Sequence, residues 1–508
     1  MNRRQNPKSK NYDYKLIAVR LKKLIQARND GDVSVLINLL RSDLLRNLGS
    51  IGTTCLYNRA YSGTKLLIED YINEVIMALE YIDDQPLDVI RDQQRRDFFH
   101  DTRQSFGLSA LVLHGGSLFG LCHIGTVKVL HNSGLLPGII CGSTVGAIVG
   151  ALVCSCTEDE LPKVIDNIAK ELPPLSQEYE DLKYGSVFEG VLSSFYPPEI
   201  ILFEQYVRNK LGNLTFEEAY LRSGKVLNIT ITPVADDSYN DNGTNNAGDE
   251  SDVQASHGDY SGCQQGTTPK IRKERKSQPG KNAKYILSEV PRLLNYLSTP
   301  NVIIWSAVRA SIGSGILQGK TELLVKNHLG EIEQFLQHEV KFAPSNQTVY
   351  LNRRESPYTR LAELFNVNNF IVSLARPYLA PILLSDFRHR GHRGWGLRLV
   401  RLARLEFQHR LQQLTQLGIL PGVFQRVFVD ENIPGGFQVT IVPELSSVRD
   451  FAKVFDGHNI ADKVNYWIWI GERSVWPMMA IIWARSAVEI VLNSVYTRKG
   501  RELRSDAT

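Results

Sequence analysis

At 508 residues the chain is long enough for about three domain-sized units, or for one large α/β core with appendages. Hydrophobic residues make up 43% and charged residues 22%, the balance of a core-forming globular chain, and a net charge of +4 is too small at this size to make nucleic acid an expected partner. The cysteines (Cys55, Cys122, Cys141, Cys154, Cys156, Cys263) include no CxxC pair, and Cys154 and Cys156 stand too close for the usual zinc spacing. Neither a disulfide framework, a metal nor a cofactor is expected.

The opening MNRRQNPKSKNYDY is polar and has no apolar h-region, so no secretory signal is read and a reduced, cytosol-facing location is expected. Residues 1–97 read as a helical region. Ile17, Leu21, Leu24 and Arg28 share one helical face ahead of the turn Asn29-Asp30-Gly31-Asp32. Asp32 can cap a second helix, which Gly49 is expected to end. From Lys65, a further stripe of Ile68, Ile72, Val75, Leu79 and Ile82 stops before Pro86. No reactive constellation occurs here, which makes the region a packing or docking surface.

Residues 106–380 alternate strand and helix. The runs SALVLHGG and LLPGIICG are short, apolar and closed by glycine, as buried parallel strands are, and KVLNITITPV and NNFIVSL are further candidates. The pattern predicts an α/β fold with a parallel-type sheet covered by helices. The uncharged run Leu135 to Cys156 approaches bilayer length, but its glycines and Pro137 favour a buried strand followed by a buried helix. Residues 236–284 are rich in Asn, Asp, Gly, Ser and Gln, with a basic second half (KIRKERK), and are expected to be a disordered insert.

Residues 381–508 read as a helical C-terminal region with a basic start. Arg398, Arg401 and Arg404 recur every third residue, each followed by a leucine. Such a helix can pack on the core with a solvated arginine face, or lie on an anionic lipid surface. VWPMMAIIWARSAVEIVL is too short before Arg485 to span a membrane and reads as a buried helix.

Two glycine turns carry the chemistry. The first is Gly115-Gly116-Ser117-Leu118-Phe119-Gly120, set between a strand and a helix, where backbone amides can form an oxyanion hole. The second, Gly142-Ser143-Thr144-Val145-Gly146, is the frame of a nucleophile elbow with threonine at the apex. Small residues flank such a turn because neighbouring backbone comes close, and Ala147, Gly150 and Ala151 let the following helix pack tightly.

This pair of turns resembles the patatin-like phospholipases, in particular the fungal triacylglycerol-lipase branch. The likeness extends through YDYKLIAVRLKKLIQARNDGDVSVLINLLRS, FFHDTRQSFG, RLLNYLSTPNVIIWSAVRAS, TRLAELFNVNNFIVS and GERSVWP, covering nearly everything except the insert. The resemblance implies a three-layer α/β/α core and a Ser–Asp dyad that cleaves acyl esters of lipids. It further implies residence at lipid droplets or the endoplasmic reticulum. Relative to that branch the chain starts late, without the usual N-terminal extension and its membrane-associated segment.

Carried over residue by residue, the resemblance breaks at the reacting atoms. The family's nucleophilic serine falls on Thr144. The third glycine of its oxyanion motif falls on Ser117. Its aspartate-glycine turn falls at about Val349 and Tyr350, in a stretch with no acidic residue before Glu355. Threonine serves as a nucleophile in other hydrolases, but here its methyl crowds the elbow and no base is identified. Ser143 stands one residue off the apex and is expected to point away from the cleft. The remaining reading keeps the lipase fold without catalysis, for binding acyl lipid, a membrane or droplet surface, or an active lipase of the same family. An interaction protein built on the helical ends is the alternative of a different class.

Overall fold

The computed structural model describes residues 2–57, 63–86, 88–115, 119–172, 198–234, 290–313, 321–336, 340–343, 357–375, 437–444 and 460–506, with 402, 406, 410 and 413. The expected insert at 236–284 lies outside them.

The N-terminal region is helical, as its stripes require. Helix α1 (Tyr14–Asn29) is capped by Asp13, whose carboxylate accepts from the Lys15 and Leu16 amides. Helix α2 (Val33–Asp43) is capped by Asp32. It stops at Asp43 and not at Gly49. Gly49 instead takes φ +55° inside a short 3-10 turn, where its carbonyl accepts from the Asp13 amide. Helix α3 (Leu66–Asp83) buries Ile68, Ile72, Val75, Leu79 and Ile82. It also buries Glu74, which is held by Arg28 of α1 at 2.7 Å. Helix α4 (Asp92–Phe106) leads through Gly107, at φ +76°, into the sheet.

Strand β1 (Leu108–His114), helix α5 (Cys122–Asn132), strand β2 (Ile139–Gly142) and helix α6 (Val145–Ser155) form two successive strand-turn-helix units. Then come α7 (Glu160–Glu171), α8 (Pro198–Leu211), α9 (Phe216–Ser223), β3 (Val226–Thr230), β4 (Thr232–Val234), β5 (Leu293–Asn295) and α10 (Ile304–Ile312). Short strands β6 (Leu324–Lys326), β7 (Ile332–Gln334) and β8 (Lys341–Ala343) precede α11 (Pro357–Phe365) and β9 (Val367–Leu374). Strand β10 (Phe437–Ile441) and helices α12 (Ile460–Val475) and α13 (Met479–Asp506) complete the chain.

The main sheet runs β10-β9-β1-β2-β3-β5, parallel throughout except for β5 against β3. Its two faces alternate as a pleat demands. Leu111, Leu113, Ile140 and Ile371 enter one apolar core, while Ala110, Val112, Ile139, Cys141, Phe370 and Val372 enter a second one with Tyr358 and Leu361 of α11. The fold is thus α/β with a mostly parallel sheet between helical layers. KVLNITITPV divides between two sheets, because β4 leaves β3 to pair with β8.

The first core also takes in Ile17, Leu36 and Leu79 of the N-terminal helices and Ile482 and Leu492 of α13, so the terminal regions pack as part of the core. The C-terminal region is helical, but it also supplies β10 to the sheet. The helical run Ala461–Arg498 is long and apolar enough to cross a membrane, yet 61% of its most apolar window is buried inside the protein. Arg485, inside that run, is itself buried and donates to the carbonyls of Gly52 and Gln438. The segment VWPMMAIIWARSAVEIVL therefore packs mostly on protein, but not for want of length, since the helical run that contains it is longer than the segment read alone.

Candidate active site

Both glycine turns stand at the carboxyl ends of the adjacent strands β1 and β2, where open parallel sheets place their sites. The elbow is sterically tight. A Cβ on Gly142 would meet the Gly146 carbonyl at 2.4 Å, and one on Gly146 would meet the Leu113 carbonyl at 2.1 Å, so both positions need glycine. The Ser143 amide donates to the Leu113 carbonyl at 3.1 Å and the Gly146 amide to the Gly115 carbonyl at 3.3 Å, which ties the two turns together.

Thr144 takes φ +52° and ψ −119° at the point where β2 turns into α6. A β-branched residue in this region is an outlier, and such strain is of order 1–3 kcal/mol. It persists because the surroundings fix it: the Thr144 amide donates to Ser311 Oγ of α10 at 2.9 Å, and its carbonyl accepts from the Ala147 amide at 3.0 Å. The side chain is buried, and Oγ1 has no hydrogen-bond partner among the described residues. The turn is a strained strand-to-helix junction, with a hydroxyl at its apex that nothing described activates. The N-terminal end of α6 also brings its partial positive charge to this point.

Ser143 stands off the apex but is engaged. Its Oγ accepts the Gly115 amide proton at 3.0 Å and lies 3.2 Å from Nδ1 of His114. His114, the last residue of β1, is buried with it. One amide of the first turn is thereby committed to a side chain. Gly115 itself takes φ +68°, and the buried Gly120 accepts the His123 amide at 3.0 Å as α5 begins.

Four polar residues here went unread in the sequence: His114, Ser311, His123 and Ser373. His114 and Ser311 are described above. The third is His123, fully buried on the first turn of α5, with Nδ1 2.9 Å from Ser373 Oγ at the end of β9. Burial pushes His123 down to about 4, so the imidazole is neutral at physiological pH. A histidine closing a strand beside a glycine turn was a visible signal for His114, whereas Ser311 and Ser373 come from distant sequence. Of the other expected site residues, Gly116, Ser117, Val349 and the arginines Arg398, Arg401 and Arg404 lie outside the described residues.

Comparison with known proteins fits this geometry. Residues 111–315 match the family described as patatin-like phospholipase, and residues 1–104 match a domain of unknown function, DUF3336. Triacylglycerol lipase ptl1 of Schizosaccharomyces pombe is 32% identical over 96% of this chain and 78% of its own length. The chain belongs to the patatin-like phospholipase family. Triacylglycerol lipase 3 of Saccharomyces cerevisiae is 29% identical, covering 89% of this chain and 77% of its own. Triacylglycerol lipase SDP1L of Arabidopsis thaliana is 28% identical over 96% of this chain, which spans 54% of that relative. The patatin match begins within β1 and ends just past α10, so it includes the elbow, the first turn and Ser311. The matched region thus has Thr144 at the strained turn where β2 passes into α6.

Proposed function

We propose that this protein acts in lipid metabolism as a patatin-like acyl-lipid binding protein whose hydrolytic chemistry is lost or strongly impaired. The carrying observation is Thr144, which holds the elbow's left-handed backbone while its hydroxyl has no base among the described residues. The sequence supports the same reading, since no acidic residue falls between Lys341 and Arg354, around Val349. A general base is worth about 10²–10⁴-fold in rate, so losing serine and aspartate together removes most of a dyad's advantage. The acyl lipid is a triacylglycerol or phospholipid, as the relatives' names suggest. The place of action is the cytoplasmic face of a lipid droplet or endoplasmic reticulum membrane, with an active lipase of the same family as a partner.

A second reading has its own observation. Ser143 Oγ, 3.2 Å from His114 Nδ1, has the spacing of a nucleophile and its base. Residual hydrolysis would then run through Ser143 and not through the apex. Turnover of p-nitrophenyl butyrate separates the cases. The proposed function expects wild type to equal Thr144→Ala and Ser143→Ala, all at background. Loss of measurable turnover in Thr144→Ala makes threonine the nucleophile, and loss in Ser143→Ala alone selects the serine–histidine pair.

A further inference from the structure

The strained turn at Thr144 holds two hydrogen-bond donors that the protein itself does not use. Thr144 Oγ1 is buried without a partner among the described residues, and the side chain makes no capping bond to α6. The Val145 amide, the first of that helix, is buried as well and makes no hydrogen bond among the described residues. The neighbouring amides are spent: Thr144 donates to Ser311, Gly146 to Gly115 and Ala147 to Thr144. The two idle donors belong to consecutive residues, whose Cα atoms lie about 3.8 Å apart, so one small group can meet both.

A buried donor left unpaired is costly, and the backbone that presents these two is strained. An acceptor with two oxygens would satisfy both, and the surroundings favour a negative one. Helix α6 is 11 residues long and brings roughly half a positive charge to this end. The side chains bonded to the two turns include His114, Ser143 and Ser311, none of them acidic. A serine–aspartate dyad, by contrast, keeps a carboxylate beside its nucleophile, and that charge repels an incoming acid anion. Residues 341–354, around Val349, carry no such acid.

We propose that this turn binds the carboxylate of a free fatty acid, with one oxygen on Thr144 Oγ1 and the other on the Val145 amide. The proposal rests on the acyl-lipid reading given above and names the form of the lipid, the ionised acid and not the ester. Hydrogen bonds to an ionised acceptor are about twice as strong as neutral ones, which sets the acid above an ester carbonyl. The head must also be small and flat, because Gly142 and Gly146 stand where even a Cβ would strike backbone. A planar carboxylate meets that condition better than a tetrahedral phosphate. The features that deny hydrolysis thus suit the anion. Threonine keeps a hydroxyl donor at the apex, and the missing acid leaves nothing to repel the ligand.

The test uses the full chain with a fluorescent fatty acid, cis-parinaric acid, displaced by single-chain competitors below their critical micelle concentrations. Wild type should bind the probe. Decanoate should displace it at a concentration at least about tenfold lower than decanol, as a charge-assisted hydrogen bond requires. Thr144→Val keeps the branched shape without the hydroxyl, so it should weaken decanoate at least about tenfold and leave decanol unchanged. No binding of the probe overturns the proposal, as does equal potency of decanoate and decanol. A Thr144→Val protein with the wild-type preference for decanoate overturns it too. Stronger displacement by decyl phosphate than by decanoate rejects the carboxylate in favour of a phosphate head. If Thr144→Val does not fold, the wild-type ratio of decanoate to decanol decides alone. Binding of a fluorescent acylglycerol reads the proposed function separately. A protein that binds the acylglycerol without preferring decanoate contradicts only the carboxylate, whereas one that binds neither lipid contradicts the acyl-lipid reading itself.

Discussion

The most demanding prediction concerns a buried ion pair that joins the three parts of the chain. Glu489 of α13 and Arg46, just beyond α2, are both nearly inaccessible, with side chains 5% and 3% exposed. The guanidinium makes two bonds of 3.1 Å to Glu489 Oε2 and also donates to the carbonyls of Gly107, at 2.8 Å, and Arg485. Glu489 accepts the Ser109 amide at 2.7 Å and the Ser109 hydroxyl, and Asn369 donates to that same hydroxyl at 2.8 Å. The N-terminal region, strands β1 and β9, and the last helix therefore meet in one network. Burial lowers the pKa of Arg46 while Glu489 opposes the shift, so removing the carboxylate leaves a buried cation with neutral acceptors only, two carbonyls and the Ser109 hydroxyl at 3.2 Å. Breaking such a pair from one side costs about 3–5 kcal/mol. Glu489→Gln and Arg46→Met should each lose that much in urea unfolding. The double variant Arg46→Met/Glu489→Met should lose clearly less than the two single losses combined, because neither partner is then left unmatched. Single variants within about 0.5 kcal/mol of wild type, the range of ordinary surface substitutions, would refute the reasoning.

Other outcomes follow from the same structure. Gly125→Ala or Gly471→Ala should force α12 off α5 and lower the melting temperature well beyond a normal Gly→Ala change, since the new Cβ meets backbone and not a side chain that can move. Thr144→Gly should raise stability by about 1 kcal/mol in the same unfolding assay, because glycine tolerates φ +52° and leaves no orphan hydroxyl. His123 is held near 4 against an ordinary 6.5, so the unfolded chain binds a proton in that window that the native state does not. Its stabilising term is whole above 6.5 and declines as pH falls toward 4, by about 3 kcal/mol in full. His123→Gln should flatten the fall in melting temperature between neutral pH and about pH 5.

The sequence carried the local features well. Isoleucine stripes announced α3, the face of Ile17, Leu21, Leu24 and Arg28 announced α1, the capping Asp32 announced α2, and the paired glycine turns pointed to the candidate site, because each is a short-range pattern with one physical solution. What it could not carry was long-range. Arg46 and Glu489 are far apart in the chain, and neither position betrays its partner. The same holds for Gly125 against Ile468, where the glycine signals a close approach but not what approaches. Strand β10 escaped because it is short and lies in a region otherwise dominated by helical patterns. Gly49 misled because its positive φ serves the loop after α2 and not the helix end. At the site, Thr144 was legible as a departure from the elbow pattern, but the hydrogen bonds from the elbow to Ser311 and from Gly115 to Ser143 needed coordinates.

The most direct test of the central claim is reaction of the purified wild-type protein with a fluorophosphonate, which captures an activated hydroxyl nucleophile, followed by mass spectrometry of the elbow peptide. An elbow preserved without its chemistry predicts no adduct on Thr144 or Ser143 under conditions that fully label an active serine lipase. A stoichiometric adduct on Thr144 would contradict the account outright, and one on Ser143 would move the chemistry to the pair with His114.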